Sequence, residues 1–325
     1  MVIGGAGFIG SHCARLASLD GHDVSIFDNF SSGHRWACGD FPVFEGDILN
    51  TDFLSRCLRE IEVVFHCAAK IIVSESVAFP SLYLRNNVAG TESLLRAMTR
   101  ANVRKIVFSS TAAVYGNPSE CYVLNENHGC KPVNPYGVSK LRAEERIRSW
   151  VFQTNSRATI FRYFNAAGAT PELGLGELHE PETHLIPNIV NAMLYPETHH
   201  FQLFGDDYPT PDGSCVRDYV HVADIANAHL LALEASVNGN AEIFNLGHGS
   251  GFSNFEVMRA CESILEKKLE YQIVPRRDGD PPSLLASNAL ACDRLGWVPE
   301  LSDLNRIISD AIRWHRDVLP DIFSR

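Results

Sequence analysis

GGAGFIG, residues 4–10, satisfies two spacings at once. Gly5, Gly7 and Gly10 read as G-x-G-x-x-G, and Gly4, Gly7 and Gly10 as G-x-x-G-x-x-G. Glycine permits a tight turn and lets a pyrophosphate approach backbone N–H groups at a helix start. The motif gains weight from its context: it follows a strand-like run at Met1–Ile3 and opens an apolar helix at Gly10–Leu19. Strand-like runs at Val24–Phe27, Val43–Glu45, Val63–His66 and Lys105–Ser109 then alternate with helical stretches at Thr51–Arg59 and Ser81–Ala101. A helix at Asn134–Phe152 and a strand at Thr159–Phe161 continue the series. This rhythm predicts an α/β fold, a doubly wound parallel sheet wrapped by helices. From Gly168 to Pro211 glycine and proline are frequent and the rhythm is lost. Residues 1–165 are therefore expected to form a dinucleotide-binding domain and 166–325 a smaller α/β substrate-binding domain. The strand and apolar helix of 216–236 are expected to pack back on the first.

Composition narrows the setting. The 325 residues carry 45% hydrophobic and 21% charged side chains, ordinary for a globular protein with a sizeable core. No apolar run approaches the roughly 20 residues that span a bilayer, and the chain starts in a glycine motif, without the basic segment and apolar core of a secretory signal. Nine scattered cysteines without a CxxC pair read as reduced thiols of a cytoplasmic protein. The net charge of −11 comes without any Lys/Arg run to build a basic stripe, so neither nucleic acid nor membrane is an expected partner. An anionic ligand must be held by local groups.

Four further features carry chemistry. Asp28 ends the second strand, where a carboxylate accepts hydrogen bonds from ribose hydroxyls and repels a 2′-phosphate, so the cofactor reads as NAD. Asp47, in EGDI, is a second carboxylate within reach of the adenine edge. FSSTAAVYG, residues 108–116, follows the fifth strand and places small hydroxyls where ligands bind in doubly wound sheets. In YGVSK, Tyr136 and Lys140 lie one helical turn apart, a spacing that lets an ammonium favour a phenolate and so make the tyrosine a base.

Together these motifs, with DNFSSGH, NNVAGT, PYGVSK, RYFNAAGA, DYPTPDGSCVRDYVHV and PRRDGD, make the chain resemble the extended short-chain dehydrogenase/reductases, and among them the UDP-glucose 4-epimerases, nearly end to end. The resemblance implies a Rossmann domain and a reversible hydride transfer at sugar carbon 4. In that scheme Tyr136 is the base, Lys140 holds the cofactor ribose and lowers the tyrosine's pKa, and Thr111 binds the 4′-oxygen. Ala112 and Ala113 stand where related dehydratases and UDP-xylose synthases carry acidic residues, which speaks for simple epimerisation.

The resemblance also implies a binding set. For NAD it points to Gly4, Gly7, Phe8, Ile9 and Gly10, and to Asn29, Phe30, Ser31, Ser32 and Gly33 beside Asp28. It adds Asp47 and Ile48, then Cys67, Ala68, Ala69 and Lys70, and finally Asn86, Ser109 and Phe164. Relatives carry a lysine in AGLKAVGES; here Ile71 stands at that position and Lys70 one residue earlier. For the UDP-sugar it points to Tyr163, Asn165, His184, Leu185 and Phe204, with Arg217, Arg277 and Asp280 around the diphosphate. Leu284 falls at a gatekeeper position, intermediate between the bulky tyrosine that excludes N-acetyl sugars and the small residue that admits them. N-acetylhexosamine, glucuronate and pentose derivatives thus stay open as substrates. HEPETH, residues 179–184, lacks the H-E-x-x-H spacing and contains Pro181, so no metal is expected. A homodimer through Ser81–Ala101 and Asn134–Phe152 is also implied.

Overall fold

The short β-branched and aromatic runs of the first half assemble, with one later strand, into a seven-stranded sheet in the computed structural model, which describes residues 1–117, 123–235, 239–277 and 280–324. Asp278 and Gly279 of PRRDGD, and residue 236 at the end of the expected returning segment, lie outside the described residues. The strands are β1 (Val2–Ile3), β2 (Ile26–Asp28), β3 (Val43–Glu45), β4 (Val63–His66), β5 (Lys105–Thr111), β6 (Arg157–Tyr163) and β7 (Ala241–Leu246). All pair in parallel, in the order β7-β6-β5-β4-β1-β2-β3. The order reverses at β1, and the glycine loop leaves the sheet at that switch point, where ligands of such sheets bind.

Alternation along the strands fills two cores. Ile3, Phe27, Ile106 and Phe108 point to one face, with Leu54, Leu94, Met98 and Ile147 from the covering helices. Val2, Ile26, Phe65 and Val107 point to the other, with Ala14 of the first helix, Phe8–Leu19, and Ile225, Ala226 and Ala228 of Val222–Ala235. The helix of the expected returning segment thus covers the first sheet. Its strand, Val216–His221, does not join that sheet: it pairs with Gly251–Ser253, Ser283–Ala286 and Asn165–Ala167. The strand that does return is β7, absent from the expected organisation; its run AEIFNL does not alternate, because it is covered on both faces of the sheet, and so lacks a half-buried strand's pattern.

The remaining segments enclose a third core around Ile189, Val190, Leu203, Tyr219, Val257, Ile307 and Ile308. Among the described residues, no helix is long and apolar enough to cross a membrane.

Candidate active site

The carboxyl ends of the central strands open into one cavity of about 1230 Å³, closed on the far side by residues of the second layer, including Phe204, Arg217, Arg277, Asp280 and Leu284. On the sheet side the glycine loop is shaped by contact. Gly4 has φ +81°, and a Cβ there would stand 2.5 Å from the Ala68 nitrogen; at Gly10 a Cβ would stand 2.1 Å from the Gly4 oxygen. At Gly7 the nearest heavy atom would be 3.6 Å away, so the space beside it is open. The helix Phe8–Leu19 begins there with no side-chain cap and no acidic residue in its first turn, leaving its N–H groups for an anion.

Asp28 is buried at the end of β2. One carboxylate oxygen accepts from the Ala6 N–H at 3.0 Å and the other from Phe30 N–H at 2.8 Å. Burial raises its pKa and these donors draw it back. Each oxygen keeps a second lone pair for a ribose hydroxyl. The open space at Gly7, the uncapped helix and this carboxylate fit a dinucleotide without a 2′-phosphate.

Phe8, Ile9, Asn29, Ser31, Ser32 and Gly33 line the same cavity, as do Ile48, Cys67, Ala68, Ala69, Lys70 and Asn86. Four of the expected cofactor residues stand off the wall: Lys140, described below, and three others. The ring of Phe30 lies 4.2 Å under the Arg35 guanidinium, away from the cavity wall. Asp47 is exposed and its carboxylate closes its own turn by accepting from Leu49 N–H at 2.9 Å. Ser109 lies behind the wall, its Oγ accepting from the Tyr163 hydroxyl at 2.8 Å. Lys70 does reach the cavity, with Nζ 3.3 Å from Glu75. Its backbone is gripped by Asn87, whose side chain accepts from Lys70 N–H at 2.8 Å and donates to Lys70 C=O at 3.0 Å. Asn87 was not singled out from the sequence; its signal is the second asparagine of NNVAGT.

Tyr136 sits in the first turn of the helix Pro135–Thr154, started by Pro135 and by Asn134, whose side chain accepts from Gly137 N–H at 2.9 Å. Thr111, at the end of β5, stands beside the phenol, its own hydroxyl accepting from Ala113 N–H at 3.1 Å. Burial pushes the phenol up to about 12, against the opposing pull of Thr111. Lys140 does not relieve it. Its ammonium is buried behind the wall, donates to the Ser109 carbonyl at 2.7 Å and lies 4.8 Å from the Phe108 ring. Burial also draws it down to about 8. The helical spacing sets the two residues on one face, but the lysine stem runs inward to a strand carbonyl, so the expected lowering of the tyrosine by its neighbour is not seen. Behind them Glu144 takes the Ser110 hydroxyl and two Arg162 nitrogens, at 3.0 and 2.7 Å, locking helix to strands. Ala112 is buried and Ala113 lines the cavity, so neither position can move a proton.

On the substrate side Tyr163, Phe164 and Asn165 line the cavity next to Thr111 and Tyr136. Arg217 donates through one nitrogen to the carbonyls of Val216 at 2.9 Å and Pro281 at 2.8 Å, and another lies 3.6 Å from Asp280. Strand register sets Leu284 beside it. The Arg277 guanidinium stacks 4.0 Å over the Phe204 ring. Leu185 opens the helix Leu185–Leu194 and packs on the third core, off the wall. His184 is on the wall, with His179, and both contact the buried Glu177. Glu177 and His179 are site residues that the sequence reading left out.

Comparison with known proteins matches this geometry. Residues 1–247 match the NAD dependent epimerase/dehydratase family. The UDP-glucose 4-epimerase of Halalkalibacterium halodurans is 43% identical over 321 residues, 98% of this chain and 95% of the relative. The crystal structure of UDP-glucose 4-epimerase from Brucella ovis in complex with NAD superposes with a TM-score of 0.90 at 42% identity, covering 96% of each chain. The Bifidobacterium longum UDP-glucose 4-epimerase, in complex with NAD+ and UDP, gives 0.91 at 34% identity over 97% of each chain. A dinucleotide cradle at the sheet's switch point, a Tyr–Thr pair at its edge and this full-length similarity lead to one conclusion: the chain belongs to the NAD dependent epimerase/dehydratase family.

Proposed function

We propose that the protein is a UDP-glucose 4-epimerase, interconverting UDP-glucose and UDP-galactose with NAD as a recycled cofactor. The observation that carries this reading is the Tyr136–Thr111 pair, which lines the same cavity as the glycine cradle and the two arginines. Bound NAD supplies the acceptor for the hydride of sugar carbon 4 and gives it back, so no net redox occurs. Thr111 binds the 4′-oxygen, and Tyr136 removes the hydroxyl proton and restores it after the ketose has turned. Arg217 and Arg277 hold the diphosphate, which guanidinium groups suit through paired charge-assisted hydrogen bonds. Ala112 and Ala113 offer nothing to a dehydration, so the proton path ends at the tyrosine.

The purified protein is expected to convert UDP-galactose to UDP-glucose without added reductant, and Tyr136→Phe to lower turnover by about 10²–10⁴-fold while NAD remains bound. Turnover confined to UDP-N-acetylhexosamine, UDP-glucuronate or a UDP-pentose would reassign the sugar; undiminished turnover in the variant would remove the tyrosine from the role of base.

The homodimer through Ser81–Ala101 and Asn134–Phe152 is part of the same reading. Its support is Phe152, 86% exposed on the second of these segments. A cytoplasmic setting is supported by the cysteines, all free among the described residues.

A further inference from the structure

Between the strand Leu175–Gly176 and the helix Leu185–Leu194 the chain brings together Glu177, His179, Glu182 and His184. One ligand atom from each lies within 4.8 Å of all the others. His179 Nδ1 is 3.2 Å from Glu177 Oε1 and 3.8 Å from Glu182 Oε2, and His184 Nδ1 is 3.8 Å from Glu182 Oε1 and in contact with Glu177 Oε1. Ligands held about 2.0–2.1 Å from a tetrahedral zinc ion stand about 3.3–3.4 Å apart, so the separations to Glu182 need to close by a few tenths of an ångström and the His184–Glu177 contact needs to open as the ion enters. Pro181 and the spacing of HEPETH exclude a helical H-E-x-x-H motif. The structure offers a loop arrangement instead, in which Glu177 from outside the motif is a central member.

We infer that these residues form a binding site for one divalent transition-metal ion, with Zn²⁺ as its best match, which clasps the segment 177–184 against the substrate side of the cavity. Two imidazole nitrogens and two carboxylate oxygens suit Zn²⁺ and are too nitrogen-rich for Ca²⁺ or Mg²⁺. Two carboxylates with two neutral imidazoles also balance the 2+ charge. The ring nitrogen Nδ1 of His179 faces both carboxylates, so an ion bound there would take the place of the proton they now share with it. Glu177 is 3% exposed and is held there by the two histidines, an arrangement in which a buried carboxylate already has nitrogen partners converging on it.

The second layer holds the ligands in place. The Glu177 carbonyl accepts from Trp314 Nε1 at 2.9 Å, and Glu182 Oε1 accepts from the N–H groups of Thr183 at 2.8 Å and His184 at 2.9 Å. His179, Thr183 and His184 line the cavity, and the His179 ring meets Phe8 of the cofactor helix edge-on at 6.5 Å between centroids. Metal binding there fixes the segment from which the helix Leu185–Leu194 begins. The role is structural: every coordination position has a protein ligand, and no step of the hydride transfer passes through it.

The test is metal binding to the NAD-bound protein, which reads the site independently of which sugar is turned over. After incubation with Zn²⁺ and dialysis against a weak chelator, the protein is expected to retain about one Zn²⁺ per chain, and Co²⁺ in its place to show the visible absorption of a tetrahedral ion. His179→Ala and Glu182→Gln should each lower retained Zn²⁺ by roughly tenfold or more with NAD content unchanged. Equal retention by the variants and the parent, or no retention by the parent, overturns the inference and leaves the cluster a set of ion pairs. If His179→Ala does not fold, Glu182→Gln decides, because it keeps the side chain's shape and its hydrogen-bonding oxygen.

Discussion

The cofactor wall of the cavity is made largely of backbone, whereas the substrate wall is made of side chains that arrive from separate strands and loops. At Gly4 and Gly10 the contacts that forbid a side chain are to main-chain atoms of Ala68 and Gly4, so shape on this side follows from where the chain itself runs. Across the cavity, Arg217 is steered by the carbonyls of Val216 and Pro281, Arg277 by the Phe204 ring, and His184 by Glu177. Where backbone packs on backbone, as at Gly4 and Gly10, no side chain can be added without moving the chain. A wall of side chains can be retuned one residue at a time, which suits the side that chooses the sugar.

The sharpest way to break that contrast is a pair of alanine substitutions three residues apart. Gly10→Ala places a methyl 2.1 Å from a carbonyl oxygen, a clash that only backbone displacement relieves, and should yield protein without NAD or without a fold. Gly7→Ala meets nothing closer than 3.6 Å and should give a folded protein with weakened cofactor retention. Far-ultraviolet circular dichroism and NAD released on denaturation distinguish the two. Similar behaviour of both variants would mean the loop is softer than its contacts imply.

A smaller effect is expected from the opposite wall. Arg277→Ala removes one charge-assisted contact, costing about 1.5–3 kcal/mol, or roughly a 10–150-fold rise in KM for the UDP-sugar. NAD content and fold should not change, because the guanidinium touches only the Phe204 ring among the contacts described for it. A loss of NAD in this variant would show that the two walls are not independent.

The same contrast governs what could be read from sequence. Sterically forced glycines leave a fixed spacing, so GGAGFIG disclosed both the sheet and the cofactor. Tyr136 and Thr111 could be placed from sequence because one lies in the first turn of a helix and the other at the end of a strand, and both line the cavity. Lys140 was located correctly on its helix face, yet its partner is the Ser109 carbonyl, because the course of a flexible four-carbon stem depends on the strand beneath it. Glu177 carried no local pattern: its chemistry arises only when the chain folds back to bring two histidines onto one carboxylate. Strand β7 was missed for a similar reason, since its place in the sheet is set by β6, far away in sequence.

The mildest test concerns acid, and it falls on the cofactor side. His12, on the helix that starts at the glycine loop, is fully buried, and burial lowers its pKa from 6.5 to about 4. His66, at the end of β4 and hydrogen-bonded to the Thr91 hydroxyl at 2.9 Å, is lowered to about 3 by burial, with the nearby Lys140 charge adding to it. Between pH 6.5 and about 4 the unfolded chain therefore binds protons that the folded chain does not, so stability rises with pH across this window and falls as acid is added. One such histidine is worth about 1–3 kcal/mol over that range. The melting temperature should decline as pH falls from 6.5 toward 4. His66→Gln keeps a polar partner for Thr91 and removes one of the two titrations, so its decline should be shallower than the parent's. Parallel declines would show that the acid-sensitive groups lie elsewhere, and would take this weakness away from the cofactor half.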